Sequence, residues 1–257
     1  MLLRLIGKWL NAGVHEAGGV TFPETGSPQG GVISPLLANV YLHYVVDVWF
    51  EQVVKPRLRG RAFLIRYADD IVMGFACEED ARRVLDVLPK RFGKYGLTLH
   101  PDKTRLVPFG RPPHRPAQAS KGEAKTPGSF DFLGFTHFWS RSRRGNWVVK
   151  RKTAGGRFRR ALRSIAQWCR LNRHRSVGEQ CEDLGRKLRG HFGYYGIIGN
   201  TEMLQRFRHE VVLRWRKWLS RRRRRWLIPW DQLNRLLKRY PLPAVPSAWA
   251  LRGAANV

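Results

Sequence analysis

Acidic side chains are scarce in this chain. It has 19 Asp and Glu against 48 Lys and Arg, a formal net charge of +29 over 257 residues. That excess rules out an electrostatically neutral surface. It asks for a polyanionic partner, nucleic acid in the simplest case and an anionic membrane surface as the alternative. Cysteine is scarcer still. Cys77, Cys169 and Cys181 are odd in number and lack metal-ligand spacing, which argues against a disulfide framework and fits a reduced compartment, the cytoplasm. Unbroken apolar runs are also missing. Residues 1–10 are apolar but interrupted by Arg4 and Lys8, a poor signal peptide. Residues 25–46 carry no formal charge and are long enough to span a bilayer, yet they contain Pro28, Gln29, Gly30, Gly31, Pro35 and Asn39. That stretch reads as a loop followed by a buried helix, and no membrane partner is expected.

What is present is apolar, aromatic and unevenly charged. Hydrophobic residues make up 43% and Trp occurs ten times, enough for one large domain or two smaller ones. Before Thr136 there are 18 basic and 13 acidic residues; from Thr136 onward there are 30 and 6. The first half is nearly balanced, and the second half is the expected polyanion binder.

Residues 63–75, Phe-Leu-Ile-Arg-Tyr-Ala-Asp-Asp-Ile-Val-Met-Gly-Phe, organise the first half. Two strand-like runs flank Ala68-Asp69-Asp70, which predicts a β-hairpin with the acids at its tip. Adjacent side chains of a regular strand point to opposite faces. A tight turn relaxes that rule, so Asp69 and Asp70 can reach one side. Paired carboxylates are hard-oxygen ligands suited to Mg²⁺. Acids also favour turns on conformational grounds alone, and the hairpin by itself leaves both readings open.

Around it the periodicity predicts a helix over 1–10 and a short strand or loop over 14–22. Ser34-Pro35 marks a helix start, with Ser34 as N-cap and an apolar stripe of Ile33, Leu36, Leu37, Val40, Tyr44 and Val48. Gly30-Gly31 before it would let backbone approach a phosphate-bearing ligand closely, or forms a plain loop. A basic loop (55–61), a helix (78–92), strands near 97–99 and 105–109 and a flexible loop (110–128) follow. Residues 130–135 are expected to pair with 147–149 as a hairpin. Helices are predicted over 157–171, 176–195, 201–225 and 231–240, then an extended tail with Pro241, Pro243 and Pro246. Three of them carry Arg on the polar face with Trp or Tyr nearby, which suits nucleic-acid backbone and stacking contacts, or forms solvated faces over core aromatics. The five arginines 221–225 favour polyanion contact. The fold class is α+β: antiparallel strands with helices on one face, then an α-helical bundle. The expected division is 1–150, 151–225 and 226–257.

Pro28-Gln29-Gly30-Gly31-Val32-Ile33-Ser34-Pro35-Leu36-Leu37-Ala38-Asn39-Val40-Tyr41-Leu42, followed by Tyr67-Ala68-Asp69-Asp70, resembles the reverse transcriptases encoded by bacterial group II introns. The first is similar to that family's fourth conserved block and the second to its fifth. Gly96-Leu97-Thr98-Leu99-His100-Pro101-Asp102-Lys103-Thr104 resembles the sixth, and Phe132-Leu133-Gly134-Phe135 the seventh. The Arg-rich helices, including Gly190-His191-Phe192-Gly193-Tyr194-Tyr195, resemble the maturase or thumb domain.

The resemblance implies an incomplete polymerase palm followed by a helical thumb/maturase bundle. It implies RNA-directed DNA polymerisation with intron splicing and mobility, using a two-metal Mg²⁺ site. Asp69 would be the metal ligand and Asp70 would assist. Gln29, Gly30, Gly31, Tyr67 and Ala68 would lie against the template–nucleotide pair, and Phe132, Leu133, Gly134 and Phe135 would position the primer end. Lys103 is a cation or proton donor near the pyrophosphate, or a solvent-exposed turn lysine. Arg157, Arg159, Arg160, Arg163, Arg214, Arg216, Arg221, Arg222 and Arg223 would contact RNA. The implied partners are group II intron RNA, a DNA primer or target, dNTP, and a missing N-terminal half or a second copy. Family members begin earlier, with fingers and a palm strand bearing a further metal-binding Asp. The chain is therefore expected to be the C-terminal two thirds of such a protein, with weak or no activity alone. No endonuclease-like Cys/His cluster follows. The alternative is a non-catalytic, maturase-type RNA-binding splicing cofactor. Diversity-generating reverse transcriptases fit the hairpin but not the helices.

Overall fold

The computed structural model describes residues 2–10, 14–16, 19–21, 33–112, 128–223 and 227–247. The chain divides into two units, residues 1–106 and 107–257.

In the first unit, α1 (Leu2–Leu10) precedes a short hairpin of β1 (Val14–Glu16) and β2 (Gly19–Thr21), and α2 spans Ser34–Leu42. Ile33 rather than Ser34 is the N-cap of α2, and Pro35 sits in its first turn, where its missing N–H costs nothing. The helix then widens into π-helical segments His43–Val48 and Phe50–Val54 and a 3₁₀ turn at Lys55–Arg57. This change of period corrects the expected buried helix. No residue of α2 is buried, and Leu36 and Tyr44 are 60% and 65% exposed. Burial falls instead on Val45, Val46, Trp49, Phe50 and Val54. A π-helix bonds residues five apart, so Val45 shares a face with Phe50, and Trp49 with Val54. A stripe projected at the α-helical period lands on the other side.

That face packs against Val84, Leu88 and Phe92 of α3 (Glu78–Lys94) and against one face of the hairpin β3 (Ala62–Tyr67) and β4 (Asp70–Phe75). The register pairs Tyr67 with Asp70, Leu64 with Met73 and Ala62 with Phe75. Ala62, Leu64, Ile71, Met73 and Phe75 therefore meet the core, while Phe63, Ile65 and Tyr67 are exposed on the opposite face. The buried Asp80 carboxylate in the first turn of α3 accepts hydrogen bonds from the Arg59 and Gly60 amides, both at 2.9 Å, and so anchors the approach to β3. The strands expected near 97–99 and 105–109 do not form. Gly96 (φ 66°) ends the helical path, and Leu97 and Leu99 pack on the core from irregular backbone, with no strand ladder beside them.

In the second unit, β5 (Phe130–Phe132), β6 (Phe135–Arg141) and β7 (Trp147–Thr153) form an antiparallel sheet in that order. The expected pairing of 130–135 with 147–149 is corrected. Leu133 (φ 49°) and Gly134 (φ 79°) make a two-residue turn that folds β5 back on β6, and β6 takes β7 as its other neighbour. Positive φ at both central residues gives the twist that such tight hairpins need.

Helices α4 (Gly155–Leu171), α5 (Val177–Tyr195), α6 (Thr201–Ser220) and α7 (Trp230–Arg239) follow. Ser176 and Glu179 form a reciprocal capping box at the start of α5. The helix expected to reach residue 225 stops at Ser220, whose hydroxyl donates to the Arg216 carbonyl (2.7 Å) and accepts from the Ile228 amide (2.9 Å). A serine hydroxyl competing for backbone groups favours a helix end over a helix interior. The core joins Phe158, Leu162 and Ile165 of α4, Leu184, Leu188 and Phe192 of α5, Leu204, Phe207, Val211 and Trp215 of α6, and Leu233 of α7.

Two buried polar groups lead to predictions for this unit. Asn200 accepts from the Thr153 amide (2.9 Å) and donates to the Thr153 hydroxyl and the Tyr195 carbonyl (each 2.9 Å), tying β7 to the α5–α6 connection. Asn200→Leu should destabilise by about 2–4 kcal/mol in urea unfolding, because several buried polar groups lose their partner together. His191 stacks on Phe207 with ring centroids 3.7 Å apart, and its buried Nε2 has no hydrogen-bond partner among the described residues. Burial pushes its pKa down from 6.5 to about 4. The unfolded chain then takes up the proton first, so stability is lost as pH falls through 6.5 toward 4. Lowering pH from 8 to 5 should cost about 1–2 kcal/mol through this residue, a dependence removed in His191→Phe and measurable by urea unfolding at both pH values.

Candidate active-site turn and nucleic-acid interface

The β3–β4 turn places Ala68 and Asp69 at its two central positions, with Tyr67 and Asp70 paired beneath them. Ala68 is held at φ 52°, a conformation that residues bearing a Cβ seldom adopt. Asp69 is exposed and lines a cleft of about 260 Å³ together with Pro35, Ala38, Asn39, Leu42 and Ala68. One side of α2, from Pro35 to Leu42, thus lines the cleft opposite the turn. Asp70 is also exposed; it begins β4 opposite Tyr67 and does not line the cleft. Gln29, Gly30 and Gly31 lie outside the described residues. Lys103 is exposed in a turn closed by its amide on the His100 carbonyl (3.2 Å).

Beneath the turn is a residue that sequence reasoning passed over. Arg66 forks onto Asp47, with Nε to Oδ1 at 2.8 Å and Nη2 to Oδ2 at 2.7 Å. Its Nη1 also donates to Asn39 Oδ1 (2.8 Å) and to the Ala68 carbonyl (3.1 Å). This fork holds the Asp47 carboxyl below the usual range and raises the Arg66 guanidinium, while His43 Nδ1 lies 3.3 Å from the same carboxylate. One signal was available. Arg66 alternates with Leu64 and Ala62 on the core-facing side of a strand, and a charge placed there needs a partner.

No group of three or more His, Cys, Asp or Glu able to hold a metal ion occurs among the described residues. The donors that do stand at the turn are the two carboxylates. Hard oxygens on an exposed turn fit Mg²⁺, which is commonly bound through one or two carboxylates, water and substrate phosphates.

In the second unit, the Leu133-Gly134 turn is clamped by its neighbours. The Tyr194 hydroxyl donates to the Leu133 carbonyl (3.0 Å), and the Ala154 amide donates to the Gly134 carbonyl (2.9 Å). Phe135 stacks on Tyr194 (6.0 Å, 12°) and meets Tyr195 edge-on (5.3 Å). A Cβ at Gly134 would lie 3.0 Å from the Tyr195 hydroxyl, which leaves little room for any other residue. Phe132 ends β5 just before this turn.

The arginines fall into two groups. Arg157, Arg159, Arg160 and Arg163 are exposed along α4. Arg214 is paired with Glu210, and Arg216 donates to the Ile228 carbonyl (2.7 Å) and stands 4.1 Å over the Trp230 ring. Arg221 lies over Trp218 (4.9 Å), and Arg222 donates to the Arg175 carbonyl. The Arg223 side chain lies outside the described residues. No helix among the described residues is long and apolar enough to cross a membrane.

Two family models match the chain in succession. Residues 2–137 match the family model of the reverse transcriptase (RNA-dependent DNA polymerase). Residues 157–239 match that of the group II intron, maturase-specific domain. The putative COX1/OXI3 intron 1 protein of Saccharomyces cerevisiae is 26% identical over an alignment covering 40% of this chain. The chain spans 18% of that protein's length. With more than half its residues matched by the first model and a helical maturase-specific region after it, the chain belongs to the reverse transcriptase family, in the form that group II introns encode.

Proposed function

We propose that this chain serves template-directed nucleotide addition, copying RNA into DNA with weak or no activity when alone, and that its helical unit holds group II intron RNA during splicing and mobility. The observation that carries this reading is Asp69, held at the Tyr67-Ala68-Asp69-Asp70 turn and lining an open cleft together with α2. Asp69 would hold Mg²⁺, with Asp70 assisting. The bound ion would supply charge neutralisation for the transferring phosphoryl group. Gln29, Gly30, Gly31, Tyr67 and Ala68 would flank the template–nucleotide pair, and Lys103 would stand near the pyrophosphate. Phe132, Leu133, Gly134 and Phe135 would position the primer end, on a turn whose geometry Tyr194 enforces. The exposed arginines of α4 would follow the RNA backbone. The remaining partners are dNTP, a DNA primer or target, and a second copy or a separate N-terminal half; the compartment is the cytoplasm.

A second reading has its own support. Among the described residues no third carboxylate joins Asp69 and Asp70, while α4 exposes four arginines. That arrangement fits a splicing cofactor which binds intron RNA without chemistry of its own. Mg²⁺-dependent extension of a DNA primer on an RNA template, with a separate N-terminal half supplied in trans, separates the two. The polymerase reading requires extension that depends on Asp69, and the cofactor reading requires intron-RNA binding with none.

A further inference from the structure

We infer that Arg66 is the positioning residue for Asp69, setting both the backbone of the turn and the spacing of the cleft that Asp69 lines. The inference rests on Asp69 being the metal-binding carboxylate. Five contacts carry it. Two go to Asp47 on the π-helical segment, two to Asn39 on α2 (its Oδ1 and, at 3.5 Å, its carbonyl), and one to the carbonyl of Ala68 in the turn. Asn39 and Ala68 both line the cleft, so a single guanidinium touches both of its walls. The Arg66 side chain is only 12% exposed and its fork onto Asp47 is partly buried, so that fork anchors the guanidinium from which the surface bonds to Asn39 and Ala68 are made.

The backbone adds a second, independent sign. Among the described residues only Ala68 and Leu133 adopt positive φ without being glycine. Such conformations persist where surrounding contacts over-determine them, and they cluster where a side chain must be aimed. At Leu133 the clamp is the Tyr194 hydroxyl; at Ala68 it is Arg66. Freed from the guanidinium, the Ala68 peptide would relax toward commoner torsions, and Asp69, the next residue, would turn with it. A lysine cannot replace the fork. Its single nitrogen cannot hold a carboxylate through two parallel bonds and also reach Asn39 and the turn carbonyl.

The test uses Mn²⁺ as the probe, its binding to the full chain followed by the EPR signal of the free ion. The variants are Arg66→Lys, Asp69→Asn and, as a control for general loosening of the same unit, Val84→Ala in the core. Circular dichroism confirms that each is folded at the assay temperature. Arg66→Lys should weaken Mn²⁺ binding about 10- to 100-fold, the usual effect of losing a residue that orients a metal ligand. Asp69→Asn should lose the site, and Val84→Ala should bind as the parent does. If Asp69→Asn loses the site while Arg66→Lys binds normally, the inference is overturned and the metal reading stands. Equal weakening in Arg66→Lys and Val84→Ala overturns it too, since the effect is then loss of stability alone. Unchanged binding in Asp69→Asn overturns the metal reading itself, and this inference with it.

Discussion

Asp69→Asn should reduce Mg²⁺-dependent primer extension about a thousandfold, to the level of a control without metal. The substitution keeps the size of the side chain and removes its charge. Asp69 is exposed at the turn, so the exchange should leave stability within about 0.5 kcal/mol, as surface substitutions usually do. The loss is therefore one of chemistry. Charge neutralisation by a bound metal contributes several kcal/mol to phosphoryl transfer, and about 4 kcal/mol corresponds to a thousandfold in rate. Asp70→Asn should cost less, about ten- to a hundredfold, because Asp70 stands across from Tyr67 and does not line the cleft. Extension on an RNA template decides the matter, with a separate N-terminal half supplied in trans, since the chain alone is expected to extend weakly or not at all. If Asp69→Asn retains more than about a tenth of the parental rate, against the several kcal/mol expected, the turn is not the metal site.

Affinity for intron RNA should collapse with salt. If the helical unit neutralises six or more phosphates, binding falls about a thousandfold or more between 50 and 200 mM salt, as released counterions oppose it. The exposed Arg157, Arg159, Arg160 and Arg163 of α4 should account for much of the slope. Changing all four to Gln should lower it by about three to four, roughly one for each phosphate that is no longer neutralised. Arg216→Gln should behave differently. Its guanidinium is engaged with the Ile228 carbonyl and the Trp230 ring, so stability should drop more than the salt slope. Filter binding across a salt series, with urea unfolding beside it, measures both, and a flat salt response rejects the electrostatic account.

The helices of the second unit were legible because their apolar residues keep one period. Phe158, Leu162, Ile165 and Cys169 repeat every three to four positions and are all buried. The hairpin was legible from two apolar, strand-like runs on either side of Ala68-Asp69-Asp70, and Asp69 does sit in its turn. Three features were not. The widening after Leu42 changes the period within one continuous helical path, so an α-helical projection assigns Tyr44 to the core and it emerges 65% exposed. The turn at Leu133 requires a leucine in a left-handed conformation, which no propensity suggests; the Tyr194 hydroxyl far along the chain secures it. The Asp47–Arg66 pair is likewise a tertiary fact. Of the candidate site, the place of Asp69 in the turn could be read from its motif, whereas the contacts that Arg66 makes beneath that turn reach Asn39 and Asp47, distant in the chain.

The sheet β5–β6–β7 bears on how such proteins can be recombined. The reverse transcriptase match ends at residue 137, inside β6, and the maturase match begins at 157, inside α4. The physical seam lies earlier, between residues 106 and 107. Swapping the helical half between relatives at the sequence seam would pair a foreign β7 with the resident β6 and mismatch the Ala154–Gly134 and Tyr194–Leu133 bonds. A crossover near residue 107 would carry the sheet along with its helices, and chimeras joined there should be the ones that stay folded.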